Sequence, residues 1–529
     1  MSLQPVLIAG EWREAKNPVG SFTTTNPATK LTLPERYPIS SMDDVLEALQ
    51  AGKEAADALR SVSPNRIAGF LEKYANNIEI RTDQLVEIAN LETALPKEPR
   101  LRLGELPRTT DQLRQAATAA RERSWCQAML HTKNNIHSMF GPLGGPVVVF
   151  GPNNFPYAFN GVAGGDFAAA IAVGNPVIAK ASPGHAGTTK ILAEAAFEAV
   201  EACGLPLETV QLIYHMPSEV GLNLVSHPFV GATGFTGSRN SGLKLKEAAD
   251  KAGKLIYLEM SSINPVFVLP GALSERSQDI ANELYNSCSL GAGQFCTNPG
   301  LVVVKRGDDG EAFVDSVAKL FRDNIPGILL TASGPQNIAE AISTLTGAGA
   351  MVIVGGTEAD GPGYAFSNTL LRVSGDSFLQ NPEILQTEAF GTVSLIVVAN
   401  DISQMTEIAS KLEGNLTGCI YSHTRGEDDS AYDQIERVLR LKVGRLLNDK
   451  MPTGVAVVPS MNHGGPFPAT GHPGFTSVGI PRSMLRFAAL YCYDNVRSHR
   501  LPEELQDKNP TGKMWRSIDG EWSQADVTI

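Results

Sequence analysis

Apolar residues change their spacing along this chain, and the changes divide it into regions. Residues 7–12, Leu-Ile-Ala-Gly-Glu-Trp, set a short apolar run against Gly10 and predict a hairpin that turns there. A similar string, Ile518-Asp-Gly-Glu-Trp522, recurs near the C-terminus, and simple hairpin chemistry accounts for the likeness. Over 41–60 and 65–97 apolar positions fall at helical spacing among Ala, Leu, Glu and Lys, with Ser41 placed to cap the first stretch. These stretches predict a helical N-terminal layer. From 145 the pattern becomes short β-branched runs separated by glycine, proline and small-residue helices. Runs at 145–150, 176–180, 210–214, 227–235 and 254–258 predict strands. Helices are expected between them: one through Ala172, one over 188–203 ended by Gly204, and one from about 239 to 251. Strands alternating with helices predict a parallel, doubly wound sheet that binds ligand at the carboxyl ends of its strands. A second α/β region follows, with helices at 276–290 and near 310–323 and strands at 301–305, 350–354 and 394–399. Residues 125–142 and 484–498 read as extended, and the polar, proline-containing tail from 500 reads as wrapped over the surface.

Composition narrows this picture. A chain of 529 residues exceeds the usual single core, so two or more domains are expected. Hydrophobic content of 43% and charged content of 19% are ordinary for a soluble globular enzyme. A net charge of −12 and a pI near 5.4 argue against nucleic acid as a partner. They leave room for a small anionic substrate, which needs only a local positive pocket. No apolar run reaches the ~18 residues of a membrane span, so no membrane partner is expected. The N-terminus carries no basic segment followed by a long apolar run, so cytoplasm is the default location. Cys126, Cys203, Cys288, Cys296, Cys419 and Cys492 show no paired spacing. Neither a disulfide framework nor a metal site is expected from them.

One of these cysteines stands apart. Cys296 lies in Gly291-Ala-Gly-Gln-Phe-Cys-Thr-Asn-Pro-Gly300, between a glycine-rich approach and an Asn-Pro-Gly turn. Small neighbours on a bend let another molecule approach the sulfur. A free thiol titrates near ~8.5, so a nucleophilic one needs local help to ionise. Alone, this residue reads equally as nucleophile or as core filler. Two further strings decide between them: Phe150-Gly-Pro-Asn-Asn-Phe-Pro156 and Leu258-Glu-Met-Ser-Ser-Ile-Asn-Pro265. Together the three resemble the acid-forming aldehyde dehydrogenase superfamily, in the family's order, over roughly residues 5–495. The Gln-Phe-Cys-Thr variant is similar to the branch of α-ketoglutaric semialdehyde dehydrogenases and the NADP-dependent aldehyde dehydrogenase of luminous bacteria.

The resemblance implies an α/β fold with three parts. A doubly wound cofactor domain would take 1–124 and 143–258, and an α/β catalytic domain 259–483. A small β oligomerisation arm with the C-terminal tail would take 125–142 and 484–529, building a homodimer or homotetramer. The reaction needs a soft nucleophile, an oxyanion hole, a hydride acceptor and a base for water. By resemblance Cys296 is the nucleophile that forms the thioacyl intermediate, and its backbone N–H with the Asn154 amide is the oxyanion hole. Glu259 is the base; burial at the end of a strand is expected to raise its pKa, which suits that role. After it, Met260, Ser261 and Ser262 depart from the family's usual Leu-Gly-Gly, which leaves the detail of cofactor motion open.

The cofactor implied is a nicotinamide dinucleotide. Phe235, Thr236, Gly237 and Ser238 resemble the family's pyrophosphate turn at a helix N-terminus. Pro152, Lys180 and Ser182 would face the nucleotide, with Lys180 at the adenosine ribose. Glu388 would hold the nicotinamide ribose beside Phe390. NAD-preferring members often carry glutamate three residues after the lysine, where this chain has Pro183. NADP is therefore favoured over NAD, although the loop 215–220 offers no second arginine. Phe155, Phe159, Phe295, Thr297, His463 and Phe475 are candidates for the substrate pocket. Taken as residues alone, aromatics are core by default and a lone histidine is more often structural. The leading substrate is α-ketoglutaric semialdehyde (2,5-dioxopentanoate), and the runner-up is a medium- or long-chain aliphatic aldehyde. An arginine in the tunnel would favour the first, and sequence does not assign one. Glu259 argues against acyl transfer to CoA. The intact Cys296, Asn154 and Glu259 set argues against a non-catalytic protein that kept the fold.

Overall fold

The change of spacing at 145 marks the entry into the first of two seven-stranded sheets in the computed structural model, which describes residues 2–528. That sheet runs Leu255–Glu259, Ala232–Thr236, Val147–Phe150, Val177–Lys180, Val210–Ile213, then the hairpin Val6–Ile8 and Glu11–Arg13. Its first five strands are mutually parallel, and the N-terminal hairpin joins antiparallel through Leu7 and Leu212. Helices cover both faces of the parallel strands, which is why they read as continuous apolar runs. The hairpin turns on Ala9 (φ 54) and Gly10 (φ 77), the two-residue left-handed turn that matches strand twist.

The helical N-terminal layer is present, with two differences from the sequence pattern. Met42–Leu59 is capped by Ser41 as expected. The stretch 65–97 is two helices, Pro64–Ile80 and Thr82–Thr93, because the backbone of Arg81 (φ −95, ψ 11) leaves the helix between them. The second helix stops at Ala94 (φ 55), two residues before Pro96. The helix expected through Ala172 is short, Gly165–Val173. The chain before it is turns, because side chains take its amide protons: Glu105 accepts from Tyr157 and Ala158, and Asn160 from Val162.

The second sheet runs Met351–Val354, Thr369–Ser374, Val393–Ala399, Leu301–Lys305, Val266–Val268, Asn415–Tyr421 and Val443–Asn448. Only the edge pairing of Met351–Val354 with Thr369–Ser374 is antiparallel. The helix expected at 276–290 begins earlier, as Pro270–Ser289, and kinks at Arg276 (φ −151, ψ 38). There the guanidinium reaches Asp449 and the Ser422 carbonyl.

A third sheet of five strands runs Ala488–Asp494, Ile136–Pro142, Met129–His131, Arg516–Ile518 and Glu521–Ser523. Two expectations are corrected here. Residues 482–487 form a 3-10 turn rather than extended chain, with Met484 and Phe487 buried in the core of the first sheet. The tail does more than wrap the surface, since its own hairpin pairs in parallel with Met129 and Leu130. Leu505, Met514 and Arg516 are buried under it, and Arg516 donates to the carbonyls of Gln506, Asp507 and Ala525. Among the described residues no helix is long and apolar enough to cross a membrane.

Candidate active site

The site forms where the two large sheets meet. Glu259 ends the edge strand of the first sheet, and the chain then crosses over: Met260 N–H donates to the Ala469 carbonyl at 2.8 Å. Cys296 arrives from the other side, in the loop before Leu301–Lys305. Three successive left-handed residues, Gly291 (φ 58), Ala292 (φ 55) and Gly293 (φ 72), bend that loop. A Cβ on Gly293 would lie 2.1 Å from the carbonyl carbon of Gly391, so only glycine fits. Asn264 Nδ2 fixes the far side by donating to the carbonyls of Cys296 and Asn298, each at 2.9 Å.

Three reactive groups converge. Cys296 Sγ lies 3.3 Å from His463 Nε2, which lies 2.9 Å from Glu259 Oε1. That second approach is a close contact rather than an aligned hydrogen bond, because no donor among the described residues points squarely at Oε1. The other carboxylate oxygen accepts from Ser477 Oγ at 2.9 Å. A Glu259 carboxylate oxygen, Cys296 Sγ and a His463 ring nitrogen all lie within 4.8 Å of one another. Their separation along the chain hides this cluster from any spacing rule.

Electrostatics set the resting protonation. The Cys296 thiol is pushed well up, first by burial and then by the Glu259 carboxylate beside it. The expected rise for Glu259 is corrected. Burial does push its carboxyl up, but the His463 ring beside it and the hydroxyl of Ser477 together outweigh burial and hold it below the usual range. Glu388 goes the other way, raised by burial against contacts with Ser261 and Ser262.

Asn154 sits over the thiol loop. Its Nδ2 donates to the Gln294 carbonyl at 2.9 Å, which fixes the amide two residues from Cys296 and leaves its second N–H free to serve an oxyanion. Arg100 holds the same asparagine from behind, donating to its carbonyl at 3.1 Å while pairing with Glu105.

A cavity of about 550 Å³ leads to these groups. On its wall are Pro152, Asn154, Phe155, Phe159, Ser182, Phe235, Thr236, Gly237, Ser238, Glu259, Cys296, Glu388 and Phe390. Others named from sequence are off that wall. Lys180 ends its strand two residues before Ser182, and burial pushes its pKa down to about 8. Phe295 stacks edge-on against Phe155 at 5.2 Å, behind the wall. His463 lies behind the thiol and touches its sulfur. Two placements correct the substrate-pocket expectation. Thr297 is buried in its own loop, its carbonyl taken by Thr453 Oγ1. Phe475 is turned against the Arg486 guanidinium, 4.9 Å away. Sequence reasoning missed Thr331, Ser333 and Asn337 on the cavity wall, and Ser477 and Arg100, which hold Glu259 and Asn154. None of these carries a local motif.

The wall fits a dinucleotide. The helix Arg239–Lys251 opens onto it, capped by Ser238, which accepts from Ser241 N–H. Such an N-terminus suits a pyrophosphate. The hydroxyls of Ser182, Thr236 and Ser241 and the carboxylate of Glu388 line the same cavity.

The aldehyde dehydrogenase family profile matches residues 12–459, and the chain belongs to that family. It is an oxidoreductase that converts an aldehyde to the carboxylic acid with NAD(P)⁺. Among its relatives is α-ketoglutaric semialdehyde dehydrogenase 2 of Azospirillum brasilense, 38% identical over 490 residues, 90% of this chain and 91% of that protein. The α-ketoglutaric semialdehyde dehydrogenase of Acinetobacter baylyi is 35% identical over 499 residues, 92% of each chain. The γ-glutamyl-γ-aminobutyraldehyde dehydrogenase structure from Burkholderia cenocepacia superposes with a TM-score of 0.79 at 20% identity, covering 94% of this chain and 98% of that one.

Proposed function

We propose that this enzyme oxidises α-ketoglutaric semialdehyde to the dicarboxylate, with Cys296 as nucleophile, Glu259 as base and Asn154 in the oxyanion hole. The observation that carries the chemistry is the convergence of Cys296 Sγ, His463 Nε2 and Glu259, with Cys296 and Glu259 on the cavity wall. The substrate reading is supported by the printed names of the two relatives.

The proton leaves Sγ for His463 Nε2, which already faces Glu259. The thiolate adds to the aldehyde carbon, a C–S bond forms, and the carbonyl oxygen takes the negative charge. The free N–H of Asn154 and the backbone N–H of Cys296 stabilise that oxyanion; one such donor is typically worth ~10²–10³ in turnover. When bound, the nicotinamide cofactor supplies the acceptor for the hydride lost by the carbon. Glu259 then takes a proton from water, the hydroxyl adds to the thioacyl carbon, the C–S bond breaks and the acid leaves. A carboxylate held below its usual pKa stays ionised for this task at neutral pH.

NADP is the favoured cofactor. Ser182 and Pro183 line the cavity, and no carboxylate takes the place of Pro183 to repel a 2′-phosphate. Glu388 holds the nicotinamide ribose. The strand Ala488–Asp494 leaves an open edge with Leu490 64% exposed, which suits pairing with a second copy of the chain. All six cysteines are free, and a thiol nucleophile suits the reducing cytoplasm.

A second reading has one observation in its favour: Phe155, Phe159 and Phe295 form an apolar cluster beside the thiol, as an aliphatic aldehyde would want. Reduction of NADP and NAD by the purified protein separates the two, using the semialdehyde beside hexanal and decanal, with Cys296→Ala as control. Semialdehyde turnover that vanishes in the variant is the expected result. Turnover of the alkanals alone would replace it with the aliphatic reading, and silence with every pair would point to a non-catalytic protein.

A further inference from the structure

We propose that Arg108 recognises the substrate's carboxylate and so sets the preference for oxo acids over plain aldehydes. This inference rests on the semialdehyde reading above and names the residue that enforces it.

Arg108 lies in the first turn of the helix Leu106–Glu122. Part of its side chain is open, but Nε and Nη2 are sealed from solvent and have no hydrogen-bond partner among the described residues. Two guanidinium nitrogens deprived of both water and acceptors are costly to keep, and natural structures rarely leave them so. Its setting explains how the charge is tolerated. The Arg108 guanidinium carbon is 5.1 Å from the ring centre of Phe159 and 5.6 Å from that of Phe155. Aromatic faces attract a cation but accept no bidentate hydrogen bonds. The same two rings stand on the wall of the cavity that contains Cys296, so the cation packs against two residues of that wall, with Nη1, unlike Nε and Nη2, not sealed from solvent.

Neighbouring groups are already engaged. Glu105, the nearest carboxylate of the same helix start, gives Oε2 to Arg100 and Oε1 to the amides of Tyr157 and Ala158. Asp111 accepts from Gln115. The other arginines around the thiol are also committed. Arg100 holds Glu105 and the Asn154 carbonyl, and Arg445 donates to the carbonyls of Gly454 and Pro452. Arg108 alone of these has its fork unspent. A five-carbon oxo acid with its aldehyde carbon on Sγ carries its carboxylate at the opposite end, the one group that a linear alkanal of equal length lacks. The planar fork pairs with a carboxylate through two parallel N–H···O bonds, which an ammonium cannot reproduce.

The test compares kcat/KM for 2,5-dioxopentanoate and pentanal in the wild type, Arg108→Leu and Arg108→Lys. In Arg108→Leu the semialdehyde value is expected to fall about 10- to 100-fold, mainly through KM, as for loss of a charge-assisted hydrogen bond. Pentanal should change by less than about threefold, and Arg108→Lys should recover part of the loss. Pentanal turnover also reports whether each variant is folded. If Arg108→Leu does not fold, the same comparison is made with Arg108→Lys against wild type. An equal loss on both substrates, or an unchanged semialdehyde value, would overturn the proposal while leaving the proposed function intact. A wild type that prefers pentanal would instead remove the substrate reading itself.

Discussion

A thiol that resists ionisation sits within reach of an imidazole and a carboxylate that can receive its proton. Because burial and the Glu259 charge push Cys296 up, the free enzyme holds the thiol form at neutral pH. Alkylation by iodoacetamide should therefore keep accelerating as pH rises past 9, and Glu259→Gln should bring the onset to lower pH by removing the repelling charge. A rate already flat at pH 7 would refute that account. Lys180 supplies a second titration. Burial lowers its pKa to about 8, so its charge is present below that pH and lost above it. Affinity for NADP should then weaken relative to NAD between pH 7 and pH 9, measured by fluorescence titration of each cofactor. Lys180→Ala should flatten the difference. That Cys296, Glu259 and Asn154 would meet in one cavity was legible because each sits in a short string of unusual residues. Ser477, Arg100 and Arg108 were not, because a serine or arginine with no local pattern reads as surface until tertiary structure seals it. The rise expected for Glu259 failed for a related reason: burial is visible in an apolar strand, but the histidine that opposes it comes from residue 463.

Elements were readable where local chemistry dictates them. The parallel strands announced themselves as β-branched runs, and Ser41 and Gly204 marked helix ends. Legibility ended where distant side chains supply backbone partners, as Glu105 does for Tyr157 and Ala158. The two hairpins show both limits. Ala9-Gly10 and Asp519-Gly520 make the same turn, with φ of 54 and 77 in one and 51 and 97 in the other. Local sequence predicts that likeness, but not what surrounds each turn. A Cβ on Gly10 would lie 2.6 Å from Leu207 Cβ, whereas one on Gly520 meets open space. Alanine at Gly520 should cost about 1 kcal/mol, the left-handed penalty alone. Alanine at Gly10 should cost about 2–4 kcal/mol, because overpacking is added. Thermal unfolding of the two variants decides it; equal losses would mean that the Leu207 contact yields freely.

At the scale of the molecule, the alternation of strands and helices foretold a doubly wound sheet with its site at the strand ends, and Glu259 stands at such an end. It could not foretell that the second sheet would bring its own nucleophile loop to the same place, nor that the tail would build two strands of the third sheet. Those pairings join segments hundreds of residues apart, and no window on the sequence contains both partners. The close seating of Gly293 on Gly391 joins such distant segments too. One backbone carries the thiol and the other follows Glu388. Pressed together with no side chain between them, the two loops act as a jig: the spacing between sulfur and carboxylate is machined into the main chain. Side chains elsewhere on either loop are thus free to vary without resetting that gauge, whereas a single methyl group at residue 293 would move both working parts at once.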